Sequence, residues 1–197
     1  MNSCLRCGID EAGRGPVAGP VYAGAVILSQ DFPLEILNDS KKMSEKKRIE
    51  AEKLILKHCC WGLGFVDHNT IDKINILQAS LLAMKLAFEQ MKEKFPDFCK
   101  REFGNNRNIS MIAIIDGTFT PNISIFCKAL PKADSLYPEV MAAAIIAKNE
   151  RDRVMIEYGK SYPEYGYEKH KGYLTKAHKE ILQKLGPSPI QRKSFKY

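Results

Sequence analysis

The chain predicts a mixed α/β fold, a sheet covered by helices, on three observations. Short apolar runs of strand length recur at residues 4–10, 19–28, 60–66, 111–115 and 124–130. Between and after them lie segments in which apolar residues return at helical spacing. The order is strand, strand, helix, strand, helix, strand, strand, helix, helix, which suits one layered domain with helices packed on a sheet.

Each element has a local reason. Leu5 to Ile9 and the run GPVYAGAVIL are strand candidates, and the Gly-rich stretch between them predicts a turn or hairpin. Ser44 is placed to cap a helix over about 45–57, with Lys47 rather than Glu at the third position, so no capping box forms. CWGLGFV, 60–66, reads as a third strand. Ile71, Ile74, Leu77, Leu81, Met84 and Phe88 predict a long helix over 70–94, with a polar connection after it. MIAII, 111–115, stops at Asp116-Gly117 and has the pattern of a buried central strand. Pro138 opens a helix to about 158, as proline favours the first helical position. A last amphipathic helix, 174–185, is stopped by Gly186 and Pro187. A small C-terminal helical appendage, 161–197, is expected beside a main domain of 1–160.

At 197 residues the chain can bury a real core. No apolar run reaches membrane-spanning length, and MNSCLRCGID lacks the pattern of a signal peptide, so a cytoplasmic location is expected. The formal charge of +7 permits a polyanionic partner, and the lysines are spread along the chain, so any such surface must be assembled by folding. Cys4 and Cys7 form a C-x-x-C with no second pair or histidine pair to complete a zinc site, so the six cysteines read as ordinary thiols.

The acids hold the chemistry. Asp10 and Glu11 end the first strand, Asp116 ends MIAII, and Asp134 precedes the Pro138 helix. Taken singly, Asp116-Gly117 reads as a turn, Asp134 as a cap and Glu11 as a solvated edge residue. Adjacent strand ends would gather them, and four clustered carboxylates repel one another without a cation. Hard oxygen ligands suit Mg²⁺ or Mn²⁺, and two such ions can activate a water and stabilise the leaving oxygen of a phosphodiester. Neighbouring side chains of a strand point to opposite faces, so service by both Asp10 and Glu11 predicts a departure from strand geometry there.

GIDEAGRGPVAGPV, LNDSKKMSEKKR, IDKINILQASLLAM, IIDGT, KADSLYPEVMAAAIIAKNERDR and YGYEKHKGYLTKAH follow one another along the chain. In that order and approximate spacing, the sequence resembles the ribonuclease HII family over nearly its whole length. The resemblance implies an RNase H-like mixed five-stranded sheet flanked by helices, and a two-metal hydrolase. It implies cleavage 5′ of ribonucleotides in RNA–DNA hybrids and of single ribonucleotides embedded in duplex DNA, leaving a 3′-hydroxyl and a 5′-phosphate. Removal of misincorporated ribonucleotides and of RNA primers is the role that follows. A monomer is expected.

Carried onto this chain, Asp10, Glu11, Asp116 and Asp134 match the family's metal-binding acids, with Asp10 bridging. Gly13, Arg14 and Gly15 match the motif whose backbone contacts the 2′-hydroxyl, where glycine lets main chain come close. Tyr173 matches the tyrosine that packs on the sugar following the ribonucleotide. Ser40, Lys41, Lys42 and Lys148 are expected near the nucleic-acid backbone, and Lys171, Arg192 and Lys193 would extend that surface. Three positions depart from the usual family pattern: Ala133 in place of Gly, Ala144 in place of Ser and Gln191 in place of His. They touch substrate positioning rather than the ligands. An enzyme preferring long hybrids, or a non-catalytic binding module on the same fold, are the competing readings. Clustered negative charge argues against the module, because binding DNA does not need it.

Overall fold

The computed structural model describes residues 3–38, 40, 42–104 and 109–196. Five strands form one sheet: β1 (Ser3–Ala12), β2 (Val21–Ile27), β3 (Cys60–Val66), β4 (Ile109–Asp116) and β5 (Cys127–Leu130). Their order is β3-β2-β1-β4-β5. The first three are joined antiparallel, whereas β4 lies parallel to β1 and β5 parallel to β4. Parallel pairing requires a long crossover. It is supplied by α2 (His68–Phe103), which carries the chain from β3 to β4. The other helices are α1 (Glu45–His58), α3 (Pro138–Ser161), the short α4 (Tyr167–His170) and α5 (Lys176–Leu185). The mixed five-stranded sheet flanked by helices is the architecture the sequence predicts.

The two faces of β1 pack differently. Cys7 and Ile9 enter the core with Met84, Phe88 and Met91 of α2. Gly8 and Asp10 face α3, which lies so close that a Cβ on Gly8 would stand 2.1 Å from the Glu139 carbonyl carbon. On β2, Gly24 permits the same approach, since its Cβ would lie 2.5 Å from the Ala143 carbonyl oxygen. Residues Ala142, Ala143, Ile145 and Ile146 of α3 complete a second core with α1. A third cluster joins Ala18 and Met155 to Tyr165, Tyr167, Leu182 and Ile190.

Four details differ from the sequence reading. The first strand runs to Ala12 in unbroken register, pairing Asp10 with Gly24, Glu11 with Ala23 and Ala12 with Tyr22. The expected break at the acid pair is absent, because main-chain pairing with β2 continues regardless of the acidic side chains. The turn comes at Gly13, whose φ of 106° lies where L side chains are strained. Helix α2 extends well past residue 94, through Pro96, because Phe95, Phe98, Cys99 and Phe103 continue its apolar stripe. It kinks at Asn75, φ 65°, where the Asn75 side chain accepts a 3.1 Å bond from the Gln78 N–H and restarts the helix. The expected loop of 161–173 contains α4.

Candidate active site

The β1–β4 register builds the site. Ile9 pairs with Ile115, so the next residues bring Asp10, two before the end of β1, beside Asp116, the last residue of the parallel strand β4. Asp134 arrives on the single 3-10 turn Ala133–Ser135, just before α3. That turn is aimed by Lys132 in a left-handed conformation, φ 62°. It is fastened to β4 by the Ala133 N–H, which donates to Asp116 Oδ1 at 2.7 Å. One carboxylate oxygen from each of Asp10, Asp116 and Asp134 lies within 4.8 Å of the others.

Glu11 stands beside this trio. Its Oε1 accepts from Arg14 Nη1 at 3.3 Å, while Oε2 is buried with no partner among the described residues. The Glu11 N–H donates to Asp10 Oδ1 at 2.7 Å. Asp10 is only 5% exposed, and burial pushes its carboxyl well above the ordinary range; the charges of Glu11, Asp116 and Asp134 push it further. Burial likewise raises Glu11, against the opposing pull of Arg14. An all-oxygen set this close, with one orphaned buried carboxylate oxygen, fits a hard divalent cation.

The cleft around the acids gathers most of the predicted residues. Gly13, Arg14, Gly15, Ser40, Lys148 and Tyr173 line it together with Asp10 and Glu11. Gly15 has room for a Cβ, which would rest 3.6 Å from the Tyr173 ring. Lys148 is half-buried and gripped by Asp152, at 2.5 and 2.6 Å, and burial lowers its ammonium pKa. Ala144 also lines the cleft, Ala133 is fully buried, and both amide atoms of buried Gln191 lack partners among the described residues.

Other candidates lie elsewhere. Lys42 borders a neighbouring groove with Glu35, Met43 and Glu50. Lys171 sits at φ 51° with its ammonium donating to the Glu168 carbonyl. Lys41 lies outside the described residues. Lys193 is exposed, its N–H bonded to Asp72. Arg192 corrects the reading of a surface cation: it is fully buried, with its guanidinium spent on backbone carbonyls. Arg151 is buried too, donating to the Pro20 and Ala18 carbonyls. Sequence reasoning passed over Arg151, although Ala147, Arg151 and Met155 recur at four-residue spacing on the buried face of α3.

Known proteins resemble the chain over nearly its whole length. A family model described as Ribonuclease HII matches residues 7–197. A protein of Treponema denticola named Ribonuclease HII is 54% identical over 195 residues, covering 97% of this chain and 98% of that one. The solved RNase HII of Archaeoglobus fulgidus, in complex with PCNA, superposes with a TM-score of 0.68 at 27% identity, covering 98% of this chain and 96% of that one. Bst-RNase HIII, solved with Mn²⁺, shares the fold alone, with a TM-score of 0.67 at 17% identity over 99% of this chain and 68% of that one. The motif order, the parallel junction of β1 and β4 and the oxygen cluster at its end thus meet in one assignment: the chain belongs to the ribonuclease HII family of ribonuclease H-type hydrolases.

Proposed function

We propose that this protein hydrolyses the phosphodiester 5′ of ribonucleotides in RNA–DNA hybrids and of single ribonucleotides embedded in duplex DNA, leaving a 3′-hydroxyl and a 5′-phosphate. Its role is then the removal of misincorporated ribonucleotides and of RNA primers. The observation that supports this best is the trio of aspartate oxygens within 4.8 Å, of which Asp10 lines the same cleft as Gly13-Arg14-Gly15 and Tyr173.

Asp10, Asp116, Asp134 and Glu11 would hold two Mg²⁺ or Mn²⁺ ions, with Asp10 central. Bound there, the ions supply a water activated for in-line attack on phosphorus and charge stabilisation of the leaving oxygen. The chain's residues do the rest. The Gly-Arg-Gly backbone meets the 2′-hydroxyl, the group that separates RNA from DNA. Tyr173, 45% exposed beside Gly15, offers its ring to the following sugar. Ser40 and Lys148, which line the cleft, would meet the phosphate backbone, and Lys42 and Lys171 would contact it outside the cleft; Lys41 is expected to do the same. Arg14, which donates to Glu11 at 3.3 Å, would be available to a phosphate were Glu11 engaged as a ligand.

Among the described residues no helix is long and apolar enough to cross a membrane. A monomer acting in the cytoplasm is the proposed state, and free thiols are compatible with a reducing compartment. The test is cleavage of a duplex carrying one ribonucleotide, in Mg²⁺, Mn²⁺ or EDTA, beside duplexes with longer ribonucleotide runs. A metal-dependent nick 5′ of the single ribonucleotide is expected. Cutting confined to the longer runs would overturn the embedded-ribonucleotide reading, and no metal-dependent cutting would overturn the whole.

A further inference from the structure

The loop between β1 and β2, residues 13–20, is held from behind by two buried arginines. Arg192 Nε donates to the Gly19 carbonyl at 2.8 Å. Its Nη1 donates to Pro16 at 2.7 Å and to Arg14 at 3.2 Å. Its Nη2 donates to Gly13 at 2.7 Å and to Pro20 at 3.1 Å. Arg151 adds the Pro20 carbonyl at 3.0 Å and the Ala18 carbonyl at 3.3 Å. Every one of these acceptors is a main-chain oxygen. The fork of a guanidinium, with five N–H donors in a fixed plane, can meet so many carbonyls at once where an ammonium cannot.

The orientation of the carbonyls has a consequence. No peptide bond among the described residues is cis. In a trans peptide the carbonyl of one residue points opposite to the N–H of the next. With the Gly13 and Arg14 carbonyls turned inward onto Arg192, the Arg14 and Gly15 N–H groups point outward, on the side where these residues line the acid cleft. Neither N–H has an acceptor among the described residues. Arg151 ties the loop to the other wall of the cleft, its guanidinium carbon 5.9 Å from the centre of the Tyr173 ring. A Cβ on Gly13 would meet Arg151 Nε at 2.2 Å, so the loop and the arginine fit only with glycine there.

We propose that Arg192 and Arg151 are positioning residues: they turn the 13–20 carbonyls inward and thereby hold the Arg14 and Gly15 amides, and the Tyr173 ring, in the arrangement that recognises the ribose. This rests on the proposed function, since it presumes a ribonucleotide in the cleft. It makes the C-terminal segment part of substrate discrimination. That segment reaches Arg192 through main-chain bonds from Gly19 to Ile190 and from Arg192 to Val17, at 2.9 and 2.8 Å.

The test compares Arg192→Lys and Arg192→Gln with the parent, each in an Asp10→Asn background so that the strand stays intact. Binding in Mg²⁺ is measured for a duplex with one ribonucleotide and for the same all-DNA duplex. A variant that merely folds less well lowers both affinities together and leaves their ratio alone. The proposal expects the preference for the ribonucleotide to fall at least fivefold in both variants. A ratio within twofold of the parent overturns it. Tryptic cutting after Arg14, measured against cutting within α1, reads the loop without any substrate. At least a fivefold relative increase is expected, and an unchanged value overturns the clamp. A parent with no preference for the ribonucleotide would sink the proposed function and the ribose-reading step with it, while the tryptic ratio still decides the clamp.

Discussion

Asp116 Oδ1 accepts a 2.7 Å hydrogen bond from the backbone N–H of Ala133, one residue before Asp134. This bond joins the end of β4 to the turn that carries the third aspartate. It separates two roles of Asp116, as cation ligand and as anchor. Asp116→Asn keeps an acceptor for the amide and loses the charge; Asp116→Ala loses both. Both variants should lower metal-dependent cleavage by roughly two orders of magnitude. Only Asp116→Ala should also lose about 1–3 kcal/mol of stability, from the amide left unpaired. Rate assays and thermal melts of the two variants make the comparison.

Asp10 opposes stability in the metal-free protein. Its carboxyl is pushed up first by burial and then by Glu11 and Asp116, so ionisation at neutral pH works against the fold. A group whose folded pKa is raised adds stability at low pH and loses it as pH rises. Asp10→Asn removes that penalty and keeps an acceptor for the Glu11 N–H. In EDTA the variant should melt higher than the parent, by about 2–4 °C for each kcal/mol relieved. Added Mg²⁺ or Mn²⁺ should raise the parent's melting temperature and leave the variant's nearly unmoved. Equal melting in EDTA would refute this account.

Gly24 couples packing to chemistry. It pairs with Asp10 across β1–β2, and a Cβ there would meet the Ala143 carbonyl at 2.5 Å. Backbone cannot yield as a flexible side chain does, so Gly24→Ala must push α3 from the sheet. About 1–3 kcal/mol of stability should be lost, the usual cost of overpacking. Ala144 and Lys148 follow on the same helix and line the cleft, so cleavage should fall more than the folded fraction does. Activity per folded molecule, taken from paired melts and rate assays, decides it.

Asp10, Glu11 and Asp116 were legible because they end apolar runs, whose ends a sheet can bring together, and Asp134 because it stands just before a proline-opened helix. Gly13, Arg14 and Gly15 were legible through a motif with a mechanical reason for glycine. The bend expected at Asp10-Glu11 was not there, because side-chain polarity says little about main-chain pairing. Regular pairing persists to Ala12, and Glu11 is still near enough for its charge to act on Asp10. The polar segment expected after residue 94 is helical, because Phe98 and Phe103 are anchored in the core strongly enough to carry α2 past Pro96, where a helical donor is missing. Arg192 was read by its charge alone. Nothing local marks an arginine whose acceptors are carbonyls more than 170 residues earlier. For Lys42 and Lys171 the sequence offered a charge, and only folding decides where a long flexible side chain ends.

Tyr173 is held by its main chain and offers its ring. Its N–H donates to the His170 carbonyl at 2.9 Å, while nearly half of the residue stays exposed beside Gly15. Tyr173→Ala should weaken cleavage at a single embedded ribonucleotide by about 1–3 kcal/mol, the range for an aromatic ring stacked in a nucleic-acid complex. Tyr173→Phe should lose less, since only the hydroxyl goes. Melting of either variant should stay close to the parent, because an exposed ring contributes little to the core. Unchanged cutting by Tyr173→Ala would argue against this role.

His170 and His178 make the Tyr173 segment sensitive to acid. Their rings stack at 4.2 Å. The Gly172 N–H donates to His170 Nδ1 at 3.2 Å, so His170 carries its proton on Nε2, which donates to the Tyr165 carbonyl at 2.8 Å. His178 Nδ1 donates to the Tyr173 carbonyl at 3.0 Å, leaving a bare Nε2 that is buried without a partner among the described residues. Protonating either ring costs a hydrogen bond or buries a charge, and protonating both sets like charges face to face. Burial therefore lowers both from the ordinary 6.5, with Tyr165 and Glu168 opposing the shift at His170, Tyr173 opposing it at His178, Lys171 adding to it at His170, and His170 adding to it at His178. The Tyr167 ring packs edge-on against both and the Tyr165 ring stacks on Tyr167, neither adding charge. With folded values below the unfolded one, the unfolded chain takes up protons first as pH falls. Stability from this pair is full above pH 6.5 and is lost as pH drops through the folded values, by at most about 1.4 kcal/mol per pH unit for each ring. Buried Asp10 and Glu11 act in the opposite sense, so the pair is read from the difference in urea midpoint between the parent and His178→Asn, in which the carboxyls cancel. His178→Asn can still donate to the Tyr173 carbonyl, and from pH 8 to 5 the parent's midpoint should be level against the variant's and then fall relative to it below about 6.5. A parent midpoint that rises relative to the variant on acidification would refute the assignment of neutral rings.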